Sequence, residues 1–416
     1  MRTRFTRLGF HVLFVGTFAI IGGSLRGINL LLVLAGLMVG ALLVQWRWAL
    51  RSIESVSVKR RLPISAFAGT RFRVRYRLTN RHRLLPGWLL RIDDSIVPID
   101  EDEQPLPRVK PTATNTSLAV LPPRQTRSTW VDCLISGRGR YRFGPSKVST
   151  SFPFSLLQCQ RNHDDWVHLD IYPQRVSLKR NWRRHLLSRV GGATVAARRQ
   201  GANNGEFFGL REWQTGDSLR QIHWRTTARL GAPAVRQFEQ QRRFDACLLV
   251  DAHVDPSHAL ASHRATKSFD DLPVEWVIRL AATLSIELSA SAGNHIVLAL
   301  ATKRAQAFAS GGSGQTRRDM LSALARMTPC ANPVVSEAID QASSLVGHAQ
   351  DLIVVSTRSR GDATGGDPEL AAKLEPWVRR STLRWIAIDS PEASRIFRRE
   401  TESIRSSLGG SASATL

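Results

Sequence analysis

Cysteine is scarce in this chain: four residues in 416, Cys133, Cys159, Cys247 and Cys330, far apart and with no CxxC pair. Neither a disulfide framework nor a zinc site is signalled. Short catalytic signatures are missing as well, since no GxSxG elbow, HExxH helix or GxxxxGK[ST] phosphate loop occurs. Any ATP would be handled by a partner. The third shortage is of acidic residues, and it is local. Met1 to Asp245 holds 40 Lys and Arg against 16 Asp and Glu, whereas Ala246 to Leu416 holds 18 of each, so the whole excess of +24 lies in the first part. What is present, 43% hydrophobic and 22% charged residues, excludes a disordered chain, a collagen-like fibre and a disulfide miniprotein. The length allows two or three domains, each able to bury its own core.

Two long apolar runs open the chain, Leu8 to Leu25 and Ile28 to Trp46, separated by Arg26-Gly27. As helices of roughly 27 to 29 Å they match the hydrocarbon core of a bilayer, so residues 1–54 are predicted to form a two-helix membrane hairpin. Arg2, Arg4 and Arg7 precede the first run and Arg47 and Arg51 follow the second, while the turn carries only Arg26. This bias places both ends inside and the remaining soluble domains in the cytoplasm, giving a multi-pass protein of the bacterial inner (plasma) membrane. Trp46 and Trp48 stand where interfacial aromatics belong. A signal peptide would need a small-residue cleavage site and no second run, and soluble helices would carry polar stripes.

From about 55 to 180 the pattern has period two. Strands are predicted over Arg71–Asn80, Leu89–Val97, Thr116–Leu121, Arg127–Ile135, Arg140–Phe143 and Val167–Tyr172, with an exposed loop at Asp100–Pro111. Short strands at this spacing predict an antiparallel β-sandwich-like domain. Arg71, Arg73, Arg75 and Arg77 share one strand face and Phe72 and Tyr76 the other, which argues against a nucleic-acid stacking platform and leaves no nucleic-acid partner expected. Attraction to an anionic membrane surface, at ~1 kcal/mol per basic residue near the bilayer, is the economical reading of the charge.

From 246 to 406 continuous apolar strands alternate with helical spacings: strands at Ala246–Val250, His295–Ala301, Leu352–Ser356 and Leu383–Ile388, helices at Val274–Ser291, Arg317–Met327, Val334–Val346, Glu369–Arg380 and Glu392–Ser406. This predicts a doubly wound α/β domain with a parallel sheet covered on both faces. The Gly/Ser-rich 407–416 tail is predicted to be disordered.

The connecting segment, 181–245, contains GEFFGLREWQTGDSLRQIHWRTTARLGAPAVRQFE, Gly205 to Glu239. Thr215-Gly216-Asp217 reads as a turn, and Ser218 with Gln221 as a capping box opening a short helix to about Arg229, ended by Gly231 and Pro233. Leu219, Ile222 and Thr226 would share one face, and Gln221, Arg225 and Arg229 another. GLREWQTGDSLRQIHWRTTARLG, followed by VRQFE and LLVDA, resembles the signature of the domain of unknown function 58 family, and RGRYRFGPSKVSTSFPFSLLQ (Arg138 to Gln158) is similar to that family's preceding β-domain. The resemblance implies a membrane-anchored protein with a von Willebrand factor A-like C-terminal domain. It further implies association with AAA+ ATPases of MoxR type and a role in assembling or maturing envelope proteins, without supplying a reaction. Asp217, Arg220, Trp224, Arg225 and Arg229 match that motif. They read either as a cationic and aromatic partner-binding surface, or as an internal network in which Asp217, Glu212 and Glu239 pair the arginines and Trp224 packs between domains.

A von Willebrand A-like domain that holds Mg²⁺ needs several oxygen ligands, DxSxS first among them. Here Asp251-Ala252-His253-Val254-Asp255 puts His and Asp where the serines would stand, Ser356 or Thr357 takes a position expected to be acidic, and the 311–316 loop offers only hydroxyls. No metal or other cofactor is therefore expected, with Asp251 and Asp255 the weak candidates for Mg²⁺. His253, His258 and His263 recur every five residues, a period that fits neither helix nor strand, and are read as exposed. The chain reads as a non-enzymatic inner-membrane scaffold or adaptor with no catalytic residues. The alternative is a metal-dependent von Willebrand A-type binding module or enzyme centred on Asp251 and Asp255.

Overall fold

The computed structural model describes residues 1–100, 102–106, 112–186, 206–214, 219, 222–239, 245–255, 272–290, 295–310, 314–346, 351–380 and 382–399. Asp217, Ser218, Arg220, Gln221, His258, His263 and the 407–416 tail lie outside the described residues. The chain divides into two compact units, Met1–Gln174 and Arg175–Leu416.

The first unit contains β1 (Arg2–Phe5), α1 (Arg7–Arg26), α2 (Asn29–Glu54), β2 (Val56–Arg61), β3 (Ala66–Phe67), β4 (Arg71–Asn80) and β5 (Gly87–Ile99). It continues with β6 (Thr112–Leu121), β7 (Thr126–Leu134), β8 (Gly139–Phe143), β9 (Ser146–Thr150), β10 (Leu157–His163) and β11 (Val167–Tyr172). Thr6 caps α1 by accepting from the Gly9 amide at 3.0 Å, and Gly27 ends it in the left-handed region with φ 64°. The two helices meet through small residues, Gly16, Ala19 and Gly23 on α1 and Ala35 on α2, which let the backbones approach. Phe10, Phe14, Phe18, Leu25, Leu30 and Leu37 point outward and are exposed. Both helices are long and apolar enough to cross a membrane. The second runs past Trp46 to Glu54, further than the apolar run predicted.

Both ends of this hairpin return to one β-structure. β1, an element the periodicity did not reveal, pairs antiparallel with β10 immediately before α1 begins. β2 starts one residue after Ser55, the C-cap of α2. Between the helix ends sits the segment from Ser151 to Leu157. Gln45, buried near the end of the apolar run of α2, donates to the carbonyls of Ser151 (3.0 Å) and Leu157 (2.8 Å) and accepts from the Leu156 amide (3.0 Å). A Cβ at Gly9 would collide with the Leu156 carbonyl oxygen. The SFPFSLLQ stretch thus has a local physical reason: it is clamped by both helices.

Two sheets form the β-structure. One has the order β1-β10-β9-β5-β8-β11-β3 with β6 on β5, and the other the order β2-β4-β7. All pairs are antiparallel except β11–β3. Val56, Val58, Val74, Tyr76 and Leu78 from the small sheet share one core with Leu90, Ile92, Ile96, Phe143, Val148 and Ile171 from the large one, which is a sandwich. The predicted alternation holds on β4, where Phe72, Val74, Tyr76 and Leu78 are buried and Arg71, Arg73 and Arg77 exposed. The outer face is not purely cationic, however. Trp130 of β7 lies opposite Arg75, whose guanidinium carbon stands 3.9 Å from the ring centroid, so one aromatic joins the basic residues on the face from which single-strand alternation excluded it.

Within the core is an ion pair. Arg60 follows Val56 and Val58 on the inward face of β2 and forks onto Asp94 at 2.7 and 2.8 Å; Tyr76 donates to the same carboxylate at 2.6 Å. The remaining Arg60 nitrogen donates to the carbonyls of Phe143 and Asp165. Burial, with the Asp94 charge second, raises the Tyr76 hydroxyl well above its ordinary value and keeps it a donor.

The second unit contains β12 (Ser177–Leu178), α3 (Trp182–Leu186), β13 (Glu206–Glu212), α4 (Trp224–Leu230), β14 (Ala234–Glu239), β15 (Asp245–Asp251), α5 (Pro273–Ser289), β16 (His295–Ala301) and β17 (Ala305–Ala309). It ends with α6 (Gly314–Arg326), α7 (Val335–Val346), β18 (Asp351–Ser356), α8 (Arg360–Gly365), α9 (Pro368–Arg379), β19 (Leu383–Ala387), α10 (Pro391–Ile396) and β20 (Phe397–Arg398). The main sheet has the order β17-β16-β15-β18-β19. Four strands are parallel as predicted, but the edge strand β17 is antiparallel to β16, so the sheet is mixed. The AQAFA segment of β17 is short and half-exposed, without the continuous apolar run that marked the others. Cys247, Leu249, Val297, Ala299, Leu352 and Val354 pack against α7 and α9, while α5 contacts β15, β16 and β18. The last helix stops at Ile396 instead of Ser406, because Phe397 turns extended and pairs with Leu178 of β12.

Candidate functional site

In a doubly wound sheet the ends of adjacent strands diverge where the strand order reverses, and a crevice opens at their carboxyl ends. Here chain order leads from β15 to β16 and β17 on one side, and to β18 and β19 on the other, so that point lies between β15 and β18. Asp251 is the last residue of β15 and Ser356 the last of β18.

Asp251 is fully buried. Its Oδ2 accepts from Ser356 Oγ at 2.7 Å and from Arg358 Nε at 2.9 Å; its Oδ1 is buried and has no hydrogen-bond partner among the described residues. The Arg358 side chain is 23% exposed and so reaches from the carboxylate towards solvent. Its backbone is held firmly: the Arg358 amide donates to Ser356 Oγ at 3.0 Å and its carbonyl accepts from Trp385 Nε1 at 2.9 Å. Around them, Thr357 Oγ1 donates to the His253 carbonyl at 2.9 Å, and His253 Nδ1 lies 2.8 Å from the Ala331 carbonyl. The Val254 amide donates to the Cys330 carbonyl and the Cys330 amide to the Ala252 carbonyl, closing the His253–Cys330 bridge beside the crevice.

Asp251 therefore stands at the crevice with a guanidinium against it. Asp255 is exposed beyond the bridge. Among the described residues no group of three or more His, Cys, Asp or Glu is placed to hold a metal ion. Ser356 sits where an acid was sought, as the sequence indicated. Arg358 was not anticipated, although a basic residue two positions past a buried strand is a legible signal. The four cysteines are all buried and none forms a disulfide. Burial pushes the Cys247 thiol up to about 12 and Cys133 up to about 11, and raises Cys330 with help from the Asp251 charge, so none of these three supplies a thiolate near neutral pH.

The signature segment forms an antiparallel hairpin of β13 and β14 with a bulge between Phe207 and Gly209. The described helix starts at Trp224, capped by the ring of His223 towards Thr226, and Gly231 ends it in the left-handed region, as expected; the Ser218-Gln221 box lies outside the described residues. Leu219 and Ile222 consequently precede the helix and share no helical face with Thr226: Ile222 is buried and Leu219 exposed. Trp224 is 68% exposed rather than packed, and Arg225 and Arg229 are exposed one turn apart. Among the described residues Glu212 pairs with neither arginine. The structure thus places Trp224, Arg225 and Arg229 together on α4, and Asp251 with Ser356 and Arg358 at the strand ends.

This is a chain with two long apolar N-terminal helices, a β-sandwich and a doubly wound unit bearing an ion pair at its switch point. Residues 209–364, from the signature hairpin through the crevice, match the family described as "Protein of unknown function DUF58". No curated protein matches the chain. Among solved structures it is similar to the alkylpurine DNA glycosylase AlkC of Pseudomonas fluorescens, at 11% identity over 28% of this chain and 30% of that one, with a TM-score of 0.20. It is also similar to the C-terminal domain of wzt, at 10% identity over 28% of this chain and 73% of that one, TM-score 0.20. A third is a CARDB domain from Pyrococcus furiosus, at 9% identity over 28% and 92% of the two chains, TM-score 0.18. Likenesses at this level say nothing of activity.

Proposed function

We propose that the protein is a non-enzymatic adaptor of the bacterial inner membrane, anchored by its N-terminal hairpin, with both soluble units cytoplasmic. Its second unit, read as von Willebrand A-like, docks a protein partner at the strand-end crevice. That partner is an AAA+ ATPase of MoxR type, as the family resemblance implies, and the service performed is assembly or maturation of envelope proteins. The hairpin reading draws support from outward-facing phenylalanines and leucines, whose apolar area would be costly in water, and from the return of both helix ends to one β-structure. Arginines flanking those ends favour the inside, and the basic outer face of β2-β4-β7 suits anionic headgroups.

The observation that carries the docking reading is Arg358. A fixed guanidinium on Asp251 supplies in covalent form the positive charge that a metal would bring, and presents a fork suited to a carboxylate of the partner. Trp224, Arg225 and Arg229, exposed together on α4, offer a second cationic and aromatic surface for the partner, and Asp217 and Arg220 match the same motif. Cross-linking in native membranes followed by mass spectrometry tests this: an AAA+ ATPase is expected with the wild type and lost with Arg225→Glu and with Arg358→Gln. An unchanged partner set in both variants would overturn it. One observation favours the metal-dependent alternative, the unpartnered Oδ1 of Asp251. Calorimetry with Mg²⁺ decides: stoichiometric binding abolished by Asp251→Ala would replace the adaptor reading.

A further inference from the structure

At the base of the hairpin the large sheet carries a polar pocket of about 210 Å³, lined by Thr6, Leu89, Arg91, Ser149, Thr150, Ser151 and Gln158. Its position follows from the register. Arg91 on β5 lies opposite Ser149 on β9, which lies opposite Gln160 on β10, which lies opposite Arg2 on β1. Two residues along, on the same face, Gln158 is opposite Arg4. Alternation puts Val148 and Ile92 into the core, so Ser149 and Arg91 belong to the outer face. An outer-face serine is normally wet, yet Ser149 is only 3% exposed and its hydroxyl has no hydrogen-bond partner among the described residues. A buried hydroxyl left in this state calls for a ligand or solvent group.

The charges around it are known in sign. Arg91 uses only its Nε, donating to Asp93 at 2.9 Å, and its two terminal nitrogens remain for a second acceptor. Lys147 stands opposite Asp93 on the next strand and balances it. With Arg2 and Arg4 the face stays basic. The hydroxyls of Thr6 and Thr150 already donate to the carbonyls of Ser155, Leu156 and Trp88, so Ser149, Ser151, Gln158 and Arg91 are the donors available. Donors of this kind around a small cavity, with a guanidinium at one wall, suit a phosphate oxygen cluster. Height selects the source. Thr6 is the N-cap of α1, a 20-residue helix of ~30 Å, so a hairpin spanning the hydrocarbon core sets the pocket at headgroup level. Exposed Phe5, Leu89 and Phe154 neighbour its lining residues in sequence or belong to it, and suit the acyl boundary.

We propose that this pocket binds the phosphodiester of one phospholipid, a stoichiometric site distinct from diffuse attraction to anionic membrane; it rests on the hairpin being a membrane anchor. The test uses the full chain in detergent, titrated by native mass spectrometry with phosphatidylglycerol, with a diacylglycerol of the same acyl chains and with inorganic phosphate. One phosphatidylglycerol per chain is expected, with diacylglycerol at least about tenfold weaker. Loss of the charged donor in Arg91→Gln should weaken binding roughly ten- to a hundredfold, Ser149→Ala by less, and Arg91→Lys should recover part of it. Arg395→Gln, on α10 of the second unit, should change nothing, and unaltered melting temperatures should show that the variants fold. Equal retention of diacylglycerol, or equal loss on Arg395→Gln, would overturn the site. Inorganic phosphate binding as tightly as the lipid would overturn the lipid assignment. Alkaline extraction of membranes separates the two readings: a chain that stays with the membrane but keeps no lipid loses the pocket alone, whereas a released chain loses the anchor and the pocket with it.

Discussion

Arg60–Asp94 in the sandwich and Arg358–Asp251 in the α/β unit are the same chemical pair in opposite surroundings. In the first, both side chains are buried (0% and 1% exposed), the fork is bidentate, and a tyrosine and two carbonyls use the remaining groups. In the second the carboxylate is buried, the arginine is partly exposed, and one carboxylate oxygen has no partner. A closed network stabilises only itself, because nothing is left to recognise anything else. The open pair retains unused donors and an unused acceptor at a strand-end crevice, where ligands of doubly wound sheets bind. Buried charge alone therefore does not mark a site; incompletely satisfied charge beside a crevice does.

The contrast can be broken first at the closed pair. Asp94→Ala leaves a guanidinium buried and uncompensated and should cost about 3–5 kcal/mol, read from denaturant unfolding of the full chain. Gln45→Leu probes a third buried polar group, one satisfied wholly by backbone. It orphans two carbonyls and one amide at the helix ends, and a loss of about 2–3 kcal/mol is expected, with faster proteolysis in the 151–157 segment. At the open pair, Arg358→Gln should cost only about 1–2 kcal/mol, since solvent reaches the guanidinium, while removing the partner cross-link. A stability loss at Arg358 as large as at Asp94 would erase the distinction.

The smallest effect is pH-dependent. Burial, reinforced by Arg161, lowers the His163 pKa below its ordinary 6.5. The unfolded chain then takes up the proton first as pH falls, so stability declines below about 6.5 and is unaffected above it. Melting temperature against pH should show this slope in the wild type and lose it in His163→Gln.

Hydrophobic pattern made much of this legible. His295–Ala301 and Arg71–Asn80 were readable to the residue because their burial repeats at period one or two without interruption. β1 was not, since four exposed residues have no pattern of their own and form a strand only because β10 offers an edge. Arg60 was half legible: alternation with Val56 and Val58 points it inward, but its partner Asp94 is 34 residues away. In the signature the described helix begins at Trp224 because His223 caps it, while Ser218 and Gln221 lie outside the described residues. At the crevice, the degenerate DxSxS pattern was visible, whereas the arginine that meets Asp251 comes from another strand end.

The amino-acid sequence by itself determined the apolar hairpin, the alternation of the sandwich strands, the parallel core strands and the uneven charge, because each depends on neighbours within one turn or one strand. Only the tertiary structure decided which charges meet, that β17 runs backwards at the sheet edge, that Ser149 is buried, and that Gln45 of α2 and Thr6 at the start of α1 bind one loop. Those outcomes depend on groups brought together from distant positions, and local periodicity carries no information about the partner across the fold.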